Sequence, residues 1–192
     1  MNTVFFDVDT QLDFLFPSGA LYVPGAEGIV PAVARLNRFA AAHGIPVIST
    51  VDAHAEDDLE FSQWPPHCVA GTTGQHKAEA TLLERRVVIP NRECEFDVAG
   101  AQQIIVEKQT VDVFEARNPS RILELMNADR FVVYGVATEI CVRAAVRGLL
   151  KTGRPVAVVT DAVRALSDEA SRLALHEIGA MGGTVAGIGE IC

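Results

Sequence analysis

The sequence contains no run of Lys or Arg, no CxxC pair, no internal repeat and no low-complexity segment, and its apolar stretches end within about eight residues. Each absence removes a class of function. A bilayer-spanning helix needs roughly 20 apolar residues, whereas the stretches here, such as IIV at 104–106 and FVVYGVA at 131–137, fall far short, so no membrane partner is expected. A net charge of −9 without a basic cluster leaves no electrostatic footprint for a phosphate backbone, which removes nucleic acid as a partner. The opening MNTVFFDVD has no basic segment ahead of its apolar run and carries acids directly after it, so no secretory signal is expected and a cytoplasmic location is. The four cysteines, Cys68, Cys94, Cys141 and Cys192, lack zinc-type spacing. A chain of 192 residues buries about 70% of its unfolded surface and needs no covalent staples, so free thiols are expected.

What is present is a globular composition, 49% apolar and 21% charged. One domain over residues 1–192 is expected, with a loop region at about 53–85. Short apolar runs alternate with amphipathic stretches, the pattern of an α/β protein: three layers, αβα, around a mostly parallel sheet of about six strands. Strand-like runs lie at 3–9, 45–52, 86–90, 103–108, 131–137, 155–161 and 184–188. Helices are predicted at about 26–43, stopping at Gly44, at 119–127, at 139–152, stopping at Gly153, and at 168–181 with Ser167 as N-cap. Residues 53–85 show no sustained period, and a stretch of that length without structure in a compact domain is usually functional.

Four groupings carry chemistry. Asp7, Asp9 and Asp13 follow one another at the end of the first strand, where open α/β sheets bind ligands. They serve either as turn caps or as catalytic carboxylates, and D-x-D at Asp7 and Asp9 also resembles the first motif of the aspartate-nucleophile phosphohydrolases, which implies Asp7 as nucleophile. Cys141 follows a buried strand, Gly135 and Thr138, in the first turn of the next helix. There the helix dipole and free N–H groups would lower a thiol pKa and receive an oxyanion, although a lone cysteine is also a common core residue. Lys108 ends an apolar strand, either as an ordinary solvated residue or as the counter-charge to Asp9 and Cys141. Asp52 and His54 alternate along an extended segment, so both face one way, and His67 follows at a Trp-Pro-Pro turn. Two imidazoles and a carboxylate suit zinc, iron or manganese, and one acid of the 56–60 cluster could complete the shell.

Together these stretches resemble the nicotinamidase and isochorismatase-like cysteine hydrolases, over almost the whole chain and in the same order. The matching strings are D-x-Q-x-D-F at Asp9–Phe14, the strand-end Lys108, and G-V-A-T-x-x-C-V at Gly135–Val142. D-x-H at Asp52–His54 with W-P-P-H-C at Trp64–Cys68 is similar to the metal-binding nicotinamidase branch. The resemblance implies an isochorismatase-like hydrolase fold and a catalytic triad of Asp9, Lys108 and Cys141. It also implies an oxyanion hole from the backbone of Ala137 and Cys141, with a cis peptide between Val136 and Ala137. Phe14 and Trp64 would sandwich a flat ring, and Phe114 would line the pocket. One divalent transition metal, zinc before iron or manganese, would be held by Asp52, His54, Glu60 and His67. Glu60 stands where many relatives carry a third histidine, and QTVDVFEARNP replaces the usual segment after Lys108.

The activity implied is hydrolysis of a small carboxamide through a cysteine thioester, nicotinamide to nicotinate and ammonia, by a homo-oligomeric enzyme. Another small amide on the same machinery is the near alternative. The phosphohydrolase would need an acidic pair late in the chain, whereas Asp161 is followed by AVRA. A non-catalytic binding module on the same fold is the third reading, against which the complete triad argues.

Overall fold

The computed structural model describes residues 2–192. Its centre is a parallel sheet of seven strands in the order β3-β4-β2-β1-β5-β6-β7. The strands are β1 (Thr3–Val8), β2 (Val47–Asp52), β3 (Arg86–Ile89), β4 (Gln103–Lys108), β5 (Arg130–Val136), β6 (Val156–Arg164) and β7 (Thr184–Ala186). The count exceeds the expected six because both edges hold. β7 has three residues and is largely exposed, yet it pairs with β6 from Ala157↔Thr184 to Val159↔Ala186. β6 itself runs to Arg164, three residues beyond the predicted run, through a register shift opposite Val133–Gly135.

Five α-helices join these strands: α1 (Leu12–Leu15), α2 (Val30–Ala42), α3 (Pro119–Met126), α4 (Arg143–Leu150) and α5 (Asp168–Ala180). The predicted helix at 26–43 begins as a 3-10 turn, Ala26–Ile29, and ends at Gly44, whose φ of 66° is the left-handed conformation that favours glycine there. Ser167 caps α5 by accepting from the Ala170 N–H at 3.1 Å. Alternation along the strands divides the layers. Phe5 stacks on Phe39 of α2 at 6.4 Å and Tyr134 donates to Asn37 of the same helix, while Phe131, on the opposite face of β5, floors a cleft shared with α3 and α4. Among the described residues the cysteines are free, and no helix is long and apolar enough to cross a membrane.

Strand order reverses at β1, whose neighbours β2 and β5 lead the chain to opposite sides of the sheet. Crevices open at the carboxyl ends of strands at such a point. The approach of β5 to β1 is close: a Cβ on Gly135, whose φ is 121°, would collide with the Val8 carbonyl. The region 53–85, without period in the sequence, folds as 3-10 turns at Leu59–Ser62, Thr73–Gln75 and Glu79–Thr81. It is tied back by bridges His54↔Val69 and Gln11↔Lys77.

Candidate active site

Three strand ends deliver the central groups. Asp9 follows β1 in a left-handed conformation, φ 51°, that a non-glycine residue adopts only when its surroundings enforce it. Its N–H donates to the Thr50 carbonyl at 3.2 Å, and its Oδ1 accepts the Thr50 hydroxyl at 2.5 Å. Oδ2 lies 3.0 Å from the Lys108 Nζ but receives no aligned hydrogen bond. Lys108 ends β4 and also contacts Asp52 at a very short separation, with the Cys141 sulfur 3.9 Å away. Cys141 sits in a single π-helical turn, Thr138–Val142, between β5 and α4, and the Val136–Ala137 peptide before that turn is cis.

Burial and charge set the protonation of this cluster. Burial alone would lower the Lys108 ammonium, but Asp52 and Asp9 hold it well above its ordinary pKa. Burial raises the Asp9 carboxyl, with Lys108 pulling against it. Cys141 departs from the sequence expectation of a lowered pKa: burial pushes its thiol well above the usual value, Lys108 offsets only part of that, and the Asp9 and Asp52 charges add to it. The helix-terminus argument fails because the thiol is buried, and desolvation disfavours its charged form more than the nearby Lys108 ammonium favours it. A thiol held protonated needs an acceptor, and the open Oδ2 of Asp9 is the one the crevice supplies.

Beside these three groups lies a candidate metal centre. Ligand atoms of Asp52, His54 and His67, all buried, come within 4.8 Å of one another. The His67 Nδ1 lies 2.7 Å from the Pro65 carbonyl, which requires its proton there and leaves the Nε2 lone pair free. His54 is fixed the same way, its Nδ1 3.0 Å from the Asp58 carboxylate, while its buried Nε2 has no partner. Both Nε2 atoms face one oxygen of Asp52, at 3.8 and 3.7 Å. Two imidazole lone pairs and a carboxylate oxygen converging on one point fit a divalent transition metal, and a carboxylate behind a ligating histidine is its usual support. Burial alone would raise Asp52, yet Lys108 and the two histidines hold it far below the carboxylate range.

Glu60 is outside this trio of ligand atoms. Its half-buried carboxyl forms part of the wall of a pocket of about 470 Å³, open mouth included, into which Asp9, Asp52, His67, Ala137 and Cys141 also face. Burial and the Asp52 charge raise its pKa. Phe14 and Trp64 line the same pocket, with Phe14 packed 5.4 Å from the His67 ring. Phe114 does not. It lies in a separate cleft with Leu123, Phe131 and Gly148, its ring so close to α4 that a Cβ on Gly148 would clash with it. Val111, three residues earlier, takes the place in the pocket. Phe114→Ala is therefore expected to lower stability by roughly 1–3 kcal/mol with turnover unchanged, which a melting curve beside an activity assay would check.

Other groups hold this site together, in contacts that sequence reasoning did not assign to them. Gln11 clasps Asp52 from both sides, donating to its carbonyl at 2.8 Å and accepting from its N–H at 2.7 Å. Asp13 accepts from the Cys68 N–H at 2.7 Å and the Ala20 N–H at 2.9 Å, anchoring the turn that carries His67. Asp58 lies four residues after His54, a spacing that could have been read as a pair. Asp7 is fully buried beneath the site and does not line the pocket, so it has no access to a phosphate ester.

Known proteins resemble this chain over most of its length. A model of the isochorismatase domain matches residues 3–190. The nicotinamidase/pyrazinamidase of Mycobacterium tuberculosis is 28% identical over 89% of this chain and 91% of its own. The nicotinamidase of Escherichia coli is 26% identical over 93% and 91% respectively. The crystal structure of a pyrazinamidase of Pyrococcus horikoshii in complex with zinc covers 97% of this chain and 99% of its own, with a TM-score of 0.81 and 30% identity.

Proposed function

Because this chain belongs to the isochorismatase domain family, whose model spans residues 3–190, we propose that it hydrolyses a small carboxamide through a thioester on Cys141, with nicotinamide as substrate. The observation that carries this reading is the buried contact of one ammonium, Lys108, with Asp9, Asp52 and Cys141 at the floor of a single pocket.

Asp9 takes the proton of the Cys141 thiol, and the sulfur attacks the amide carbon. The oxyanion that forms is held by the N–H groups of Ala137 and Cys141, two residues that line the pocket. The carbon–nitrogen bond then breaks as Asp9 returns the proton to the departing amine, so ammonia leaves and a thioester remains. Water, activated by the same carboxylate, attacks the thioester, releasing the carboxylate product and restoring the thiol. Lys108 stays charged throughout and keeps Asp9 in place, while Phe14 and Trp64 enclose the substrate ring. Asp52, His54 and His67 would hold a divalent metal, zinc first, and the chemistry such an ion supplies is a coordination position for a ring nitrogen that orients the substrate. Glu60 bounds the pocket near that position.

The test is ammonia release from a panel of carboxamides. Turnover of nicotinamide is expected, and turnover of aliphatic amides alone would transfer the protein to another amide class.

A further inference from the structure

Asp9 is gripped from behind by a buried polar network that the reaction itself does not use. Thr10, the residue after Asp9, is fully buried, and its hydroxyl donates to the Asp7 Oδ1 at 2.8 Å while accepting from the Lys77 Nζ at 2.6 Å. Lys77 also pairs with the Asp7 Oδ2 at 3.0 Å, and that oxygen accepts from Asn37 at 3.0 Å and Ser49 at 3.2 Å. The backbone follows the same course: the Ala78 N–H donates to the Thr10 carbonyl at 3.0 Å, and the Leu12 N–H donates to the His76 carbonyl at 2.8 Å.

A hydroxyl has one proton to give. Here it goes to the residue two before Asp9, and the hydroxyl's acceptor side is filled by an ammonium from the loop region that also carries His67. The left-handed turn at Asp9 is thus pinned on both flanks, which is what a strained backbone conformation requires to persist. On the reading of Asp9 as the base, we propose that Thr10, locked between Asp7 and Lys77, is a positioning residue that aims the Asp9 carboxylate at the Cys141 sulfur. The alternative is that the network only stabilises the fold.

The two differ in what they move. Thr10→Val keeps shape and branching and leaves Asp7 and Lys77 paired. If the hydroxyl aims the base, kcat falls roughly 10- to 100-fold, as misplacement by about 1 Å does, with KM within about twofold. Alkylation of Cys141 by iodoacetamide, which needs the thiol proton removed but needs no substrate, slows by a similar factor. Thr10→Ser, which restores the hydroxyl, recovers both rates. The double variant Asp7→Leu/Lys77→Met removes both partners of the hydroxyl, leaves no unpaired buried charge and should show the same split as Thr10→Val. Wild-type kcat and alkylation in a folded Thr10→Val or double variant, or a Thr10→Ser protein as slow as Thr10→Val, would overturn the proposal. Should wild-type protein release no ammonia from any carboxamide, the functional reading fails, and the alkylation rates still decide the positioning role.

Discussion

Cys141→Ser is expected to lower kcat on nicotinamide by on the order of 10⁴-fold or more while leaving the melting temperature within a few degrees of wild type. The size follows from proton affinity. Burial and the Asp9 and Asp52 charges already hold the Cys141 thiol above its usual pKa, so Asp9 removes its proton against a gradient. A serine hydroxyl holds its proton far more tightly than any thiol, so Asp9 would have to remove it against a much larger difference. Ammonia release measured beside a thermal melt separates this loss from misfolding. Appreciable residual turnover would remove the thiol as nucleophile.

The second large effect is expected in substrate selectivity. If an ion held by Asp52, His54 and His67 receives a ring nitrogen, nicotinamide and pyrazinamide should exceed benzamide in kcat/KM by about 100-fold, the cost of leaving a substrate unoriented. Protein purified without added metal should carry about one divalent ion per chain, and His54→Ala or His67→Ala should lose it. In those variants the preference should collapse, because rates on nicotinamide fall toward those on benzamide. Equal kcat/KM for the two substrates in wild-type protein would exclude ring-nitrogen coordination, and a metal-free protein at full activity would leave the three ligands with a structural role.

Legibility in the sequence followed position. Asp9, Lys108 and Cys141 could be found because each closes or follows a short apolar run, and the carboxyl ends of neighbouring parallel strands converge. Asp52 and His54 could be paired because an extended backbone sends alternate side chains the same way. Phe114 was misplaced for the complementary reason. After Lys108 the chain leaves the sheet with no period to say which side chain turns inward, and packing against Gly148 settles it. The three acids near β1 read alike in the sequence, yet the strand divides them. Asp7 points toward Asn37 of α2, Asp9 reaches Lys108 after a left-handed bend, and Asp13 ties down the Cys68 turn. Gln11, Asp58 and Lys77 act on residues far away in the chain or across a loop, which local periodicity does not record. The Cys141 pKa failed differently: a helix terminus is visible in a sequence, whereas the burial that raises the thiol, with smaller additions from Asp9 and Asp52, arises only when the strands come together on folding.

Covalent catalysis on Cys141 is tested most directly by stopping wild-type protein in acid during its first turnovers of nicotinamide and weighing it. The expected result is protein carrying one nicotinoyl group, confined to the peptide that contains Cys141 and absent from Cys141→Ala. Steady release of ammonia with no acyl group on that peptide at any time, or with one on another residue, would contradict it.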